Sequence, residues 1–197
     1  MAHNRMIGME IGAEIAEAWG MKFAPLFAFL MFVSHSGHAA PPAPTKQAPP
    51  AGVKIPDADR AELEAGVASL RKEIDQLAGD LAAQSPLRAR LPDVEVFHKA
   101  VRDALVYDEF MDVKQVAQAK TVLKEGAARV KSLREGAAPW TRANGQVTLG
   151  YRSKIDGSVQ PYGLVIPPNW KPDDKTRRPL YLWFHGRDDK LTELSFM

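Results

Sequence analysis

Few residues in this chain have the types and spacing to do chemistry. The arrangement that stands out is His185-Gly186-Arg187, directly after Leu180-Tyr181-Leu182-Trp183-Phe184. Glycine lets the backbone make a turn that other residues resist. In open α/β sheets the ligand crevice lies just past the carboxyl ends of the strands, so this turn is where a substrate would meet the chain. Other candidates are weaker. Ser69-Leu70-Arg71-Lys72 has the Ser-x-x-Lys spacing of a nucleophile and its base, but it falls inside a helical heptad and lacks the companion Ser-Asp-Asn or Lys-Thr-Gly. It reads as coincidence. After residue 39 only His98 and His185 remain of the histidines, too few for a histidine-rich metal site. His98 is expected on a helix surface, and Asp188-Asp189 in a solvated turn. With no cysteine, thiolate ligands and a Cys nucleophile are excluded. Neither a phosphate loop nor a dinucleotide fingerprint occurs, so no cofactor or metal is expected.

The elements that must position the turn can be read from periodicity. Leu180 to Phe184 are five consecutive apolar residues between Pro179 and Gly186, too short for a helix and without a polar face. This is the pattern of a central strand covered on both sides. Upstream, Val147, Leu149 and Tyr151 alternate with Thr148, Gly150 and Arg152, a half-buried strand. Asp156-Gly157 signals a hairpin turn, and Tyr162 to Ile166 forms a second strand closed by Pro167-Pro168. A polar loop, Asn169 to Arg178, leads to the apolar run. Thr192 is placed to cap a following helix.

This order of hairpin, apolar strand and His-Gly turn resembles the start of the α/β-hydrolase sheet, in particular the secreted esterases and prolyl-oligopeptidase-type serine hydrolases. The likeness covers Val147 to Met197. It implies an oxyanion-hole region at His185, Gly186 and Arg187, where the N–H of Arg187 or its neighbour faces the developing oxyanion. It also implies that His185 is structural and not the catalytic base. In that family the nucleophile elbow Gly-x-Ser-x-Gly, the acid and the histidine all follow this strand, and no Gly-x-Ser-x-Gly occurs here. The expectation is the N-terminal part of a hydrolase, with no catalytic residue in the 197 residues and no turnover on its own. The fold class expected is α/β, an antiparallel hairpin plus a first buried strand over 144–197, preceded by a three-helix module over 57–138.

In that module Leu63, Val67, Leu70, Ile74, Leu77 and Leu81 are spaced as a heptad seam. Asp57 or Asp59 is placed to cap its helix, which Gln84-Ser85-Pro86 ends. The seam is short for a free coiled coil, so packing within the chain is favoured over self-association with a second copy. A second helix is expected from about Pro92 to Tyr107 and a third from about Val113 to Glu135. In the third, Val116, Ala119, Leu123, Val130 and Leu133 form the apolar face, with Lys120, Arg129 and other basic residues on a solvated one.

The N-terminal part reads as targeting sequence. Met21-Lys22, the apolar run Phe23 to Val33 and the small residues before Ala39 follow the order of a signal peptide over 21–39. The apolar run is too short for a stable membrane anchor. Residues 1–20 carry Glu10, Glu14 and Glu17 where a leader would be basic, so translation is expected to begin at Met21. Residues 40–56 are a Pro/Ala-rich linker. The net charge is +2. Removing 1–39 takes away two basic and three acidic residues and leaves +3, too balanced to indicate nucleic acid. The chain is therefore expected outside the cytoplasm, acting on a small ester or peptide. The rival expectation is a non-enzymatic exported helical interaction module with a small β appendage.

Overall fold

Pro56 opens the first helix, α1 (Asp57–Asp80), in a computed structural model that describes residues 50–184 and 190–197. No side chain caps this helix, contrary to the expectation for Asp57 or Asp59. Both lie inside the first turn, where their charge favours the positive end of the helix dipole, and Asp59 is drawn to Lys120 at 2.9 Å. The heptad seam is taken up within the chain. Leu63, Leu70, Ile74 and Leu77 are buried, Leu63 in one cluster with Val67 at its margin and the other three in a second with Leu81 at its margin. Ahead of Pro56 the chain is also held: Ile55 is buried and Val53 N–H donates to the Phe110 carbonyl at 2.6 Å.

The last turn of α1 has no basic residue of its own. Arg88 supplies one from outside, donating to the carbonyls of Ala78 and Leu81 at 2.8 and 2.9 Å. Ser85 starts a 3₁₀ turn (Pro86–Arg90) by accepting from Leu87 N–H at 3.3 Å. Helix α2 (Pro92–Val106) follows, with Pro92 in its first turn. It is the central element, packing against α1, the next helix and the hairpin. Helix α3 (Gln115–Arg134) ends before Gly136, whose φ of +81° suits glycine, and a 3₁₀ turn (Pro139–Arg142) brings in Trp140.

The hairpin pairs β1 (Gly145–Arg152) with β2 (Val159–Ile166) antiparallel, in the register Val147↔Leu164 and Leu149↔Tyr162. Gly157 takes φ +74° in the turn, and the Asp156 carboxylate accepts from Ser158 N–H and Oγ. Val147 and Leu149 share one core with Leu70, Ile74, Leu133 and Trp140. The fold is thus mixed α/β: helices and a two-stranded antiparallel sheet.

Beyond β2, the other edge of β1 is occupied by side chains. Gly150 N–H donates to Asp93 Oδ1 at 2.9 Å, and the Thr148 carbonyl accepts from Arg129 Nη1 at 2.8 Å. Asp93 Oδ2 accepts from Trp140 Nε1 at 3.0 Å, and Arg129 also donates to the Asp93 carbonyl at 3.0 Å. The guanidinium lies 4.4 Å from the Phe97 ring centre and 4.9 Å from that of Trp140. Arg129 was expected on a solvated face; it is buried because α3 turns that position toward the strand edge. Gly150 is required at this approach, since a Cβ there would come within 2.1 Å of the Pro92 carbonyl oxygen.

The third strand expected at Leu180 to Phe184 does not form. These five residues adopt no regular structure and are 73–89% exposed. A strand needs a hydrogen-bonded neighbour and a cover for each apolar face. Among the described residues none pairs with this run, so the burial that its composition favours is not supplied. After it, Thr192 caps the short α4 (Glu193–Phe196) as anticipated, accepting from Ser195 N–H at 3.2 Å.

Removing the Asp93 carboxylate strands two donors. Asp93→Ala should therefore cost about 2–5 kcal/mol of unfolding free energy, and Asp93→Asn, which keeps one acceptor, clearly less. Urea denaturation followed by helical circular dichroism measures this. An Asp93→Ala midpoint within experimental error of the parent would show that the node does not hold the hairpin.

Candidate functional site

The turn predicted to meet substrate, His185-Gly186-Arg187, lies outside the described residues, as do Asp188-Asp189 and the expected signal peptide. The chain on either side of the turn is anchored. On the N-terminal side Asn144 Nδ2 donates to the carbonyls of Pro168 and Trp170 at 2.7 and 3.2 Å. On the C-terminal side Leu194 is fully buried, its carbonyl accepts from Gln118 Nε2 at 2.8 Å, and Glu193 pairs with Lys99. Ser195 Oγ accepts from Gln115 Nε2 at 3.0 Å. Between these anchors stand the exposed side chains of Leu180 to Phe184. The approach to them is polar: Thr176 and Arg178 hydrogen-bond the Asp174 carboxylate and hold it well below the usual carboxylate range.

Other candidates separate on geometry. Ser69 is exposed on α1 and its hydroxyl faces Glu73 at 3.5 Å, not Lys72. The Ser-x-x-Lys pattern therefore forms no nucleophile–base pair. A groove of about 560 Å³ lies between Ala78, Arg88, Leu91, Glu95, Gly150 and Arg152. Its charged arms are already paired, Arg88 with the carbonyls at the end of α1 and Arg152 with Glu95 at 2.6 Å across the groove wall. Among the described residues no three His, Asp or Glu side chains come together as metal ligands. No described helix is long and apolar enough to cross a membrane.

His98 was expected at the surface and is buried, only 6% exposed. The reason is that α2 is covered on several sides, so residues off its main apolar stripe are enclosed as well. Burial is the first cause that lowers the imidazole to about 4, followed by Arg71 and Arg102, with Asp103 and Asp75 opposing. Among the described residues no hydroxyl hydrogen-bonds it, and it is a neutral core residue at pH 7.

The polar residues that sequence reasoning did not single out are Asp93, Arg129 and Trp140. Their one signal was composition: an aspartate straight after Pro92 and an isolated tryptophan after Pro139. Each is satisfied internally. Burial lowers the Arg129 pKa, with Glu125 and Asp93 opposing, yet a guanidinium stays charged under all ordinary conditions. The node fixes structure and offers no reacting atom. The chain matches no protein-family model, no curated protein and no solved structure.

His98 sets a pH dependence with a definite sign. Its pKa falls from 6.5 in the unfolded chain to about 4 in the fold, so its contribution to stability is complete above pH 6.5 and is lost as pH falls toward 4. The shift corresponds to at most about 3 kcal/mol, and screening by solvent leaves ~1–2 kcal/mol. Because carboxylates also titrate at the lower end, the readout is the difference in slope between the parent and His98→Leu. Equal slopes from pH 7 to 4 would refute a buried, neutral His98.

Proposed function

We propose that this chain is the N-terminal part of an exported serine hydrolase, an esterase or peptidase. In this reading the His185-Gly186-Arg187 turn contributes a backbone N–H to the oxyanion site. The nucleophile, acid and base come from later segments. The reading rests on the order of hairpin, apolar run and His-Gly turn. One structural observation supports it: β1 is closed on its outer edge by Asp93 and Arg129, whereas among the described residues β2 carries no partner on its other edge and the strand-like run Leu180–Phe184 is exposed. A sheet that is finished on one side and unfinished on the other is what the first strands of a larger sheet look like. Chemistry then proceeds through an acyl-enzyme, with the oxyanion stabilised by preorganised N–H donors.

A second reading keeps the chain as a non-enzymatic exported module. It draws on the core that the helices and hairpin share around Leu70, Trp140 and Val147 and on the internal satisfaction of the buried polar node. Such a unit holds together without any ligand.

The two readings part on chemistry. The 197-residue chain should hydrolyse activated esters at the rate of buffer and should not be labelled by a serine-reactive phosphonate. Reading the transcript past codon 197 should reveal Gly-x-Ser-x-Gly, then an acid and a histidine. A serine-dependent burst from the chain itself would overturn the assignment of the catalytic residues to later segments. A confirmed stop followed by no such motifs would leave the interaction module as the function.

A further inference from the structure

The two unsatisfied features of the fold are complementary in kind. Strand neighbours alternate in direction of hydrogen bonding. Because Thr148 and Gly150 point away from β2, their partners Gly163 and Pro161 point away from β1. The free edge of β2 thus presents the N–H and C=O of Gly163 and Val165, while Pro161 has no N–H to offer. Val165 is 79% exposed, and among the described residues neither Gly163 nor Val165 finds a backbone partner on that edge. Leu180 to Phe184 likewise has no backbone hydrogen bond among the described residues and exposes five large apolar side chains. Among the described residues the sheet has two strands only, and the run does not pair with the β2 edge.

We infer that Leu180–Phe184 of one copy adds as a strand to the β2 edge of a second copy, reciprocally, giving a strand-exchanged dimer. A two-fold arrangement satisfies both features in both copies with one type of contact. The sealed edge of β1 directs pairing to β2 alone, and Pro161 confines it to the Gly163–Val165 half. The surface available is adequate. Three aromatic rings per copy, at roughly 150–250 Å² each, bring ~900–1,500 Å² into reach, against ~1,200–2,000 Å² for a stable interface. This inference does not depend on the hydrolase reading, since it uses only the edge and the run.

The test is the mass of the full chain in solution at about 100 μM, which detects any dimer tighter than that value. The parent should be dimeric. Leu182→Pro, in a segment largely exposed and without a backbone hydrogen bond among the described residues, should weaken the dimer at least about tenfold, and Val165→Pro should do the same from the other side. Mixing the two variants should restore a heterodimer, since one still donates the run and the other still offers the edge. Restoration also shows that both variants fold. A monomeric parent, a dimer indifferent to Leu182→Pro, or failure of the mixture to pair would each overturn the inference. So would a monomer whose Leu180–Phe184 amides resist hydrogen exchange, which means pairing within one chain. Binding of the parent to anionic phospholipid vesicles, abolished by Leu182→Pro without any dimer in solution, would assign the run to a membrane surface instead.

Discussion

Strand β1 has two edges, and β2 fills only one. The peptide groups on the other must be satisfied or left in water, because an unpaired buried N–H or C=O costs as much as a lost hydrogen bond. Here side chains do what a third strand would have done. Asp93, in the first turn of α2, takes the Gly150 N–H, and Arg129, on α3, donates to the Thr148 carbonyl. Trp140 and Phe97 then cover the pair. The node ties β1 to the first turn of α2 and to α3 at once, so the hairpin's position on the helices depends on it.

The node also explains why a charged guanidinium tolerates burial. Desolvation is the cost, and an isolated buried cation would be prohibitive. Arg129 meets two carbonyls, a carboxylate from Glu125 at 3.4 Å and two ring faces. Charge-assisted hydrogen bonds and cation–π contacts, the latter worth about 0.5–2 kcal/mol each, offset that cost. Lysine in its place would keep the charge but lose the second nitrogen that reaches Glu125 and the planar face that lies against Phe97 and Trp140.

How much of this was legible from the sequence depends on whether the cause was local. The α1 seam was legible because a heptad pattern needs only its own helix, and Leu63, Leu70, Ile74 and Leu77 are buried as their spacing demands. The hairpin turn at Asp156-Gly157 was legible for the same reason. Arg129 and His98 were not. Each was assigned to a wet face by helical periodicity, whereas α2 is enclosed on several sides and α3 is met by a strand edge, facts set by tertiary packing. Leu180–Phe184 exposes a different limit. An apolar run states the environment it requires, not whether the rest of the chain provides it. The candidate turn at His185-Gly186-Arg187 rests on that run and on a family resemblance, and lies outside the described residues.

The asymmetry of the sheet carries the functional argument furthest. Natural sheets blunt exposed edges with charge, proline, short strands or a covering element. This chain spends two buried charged residues on closing β1, yet leaves β2 with only Pro161 as a guard and places five exposed apolar residues a short distance downstream. If the protein were built to end as an isolated two-stranded sheet, the opposite allocation would be cheaper: an open polar edge on either strand, and no Tyr181, Trp183 or Phe184 in water. Sealing one edge while leaving the other free to pair makes sense where strands are added on one side. Strands from the proposed hydrolase sheet and strands from the inferred second copy would both join on the β2 side.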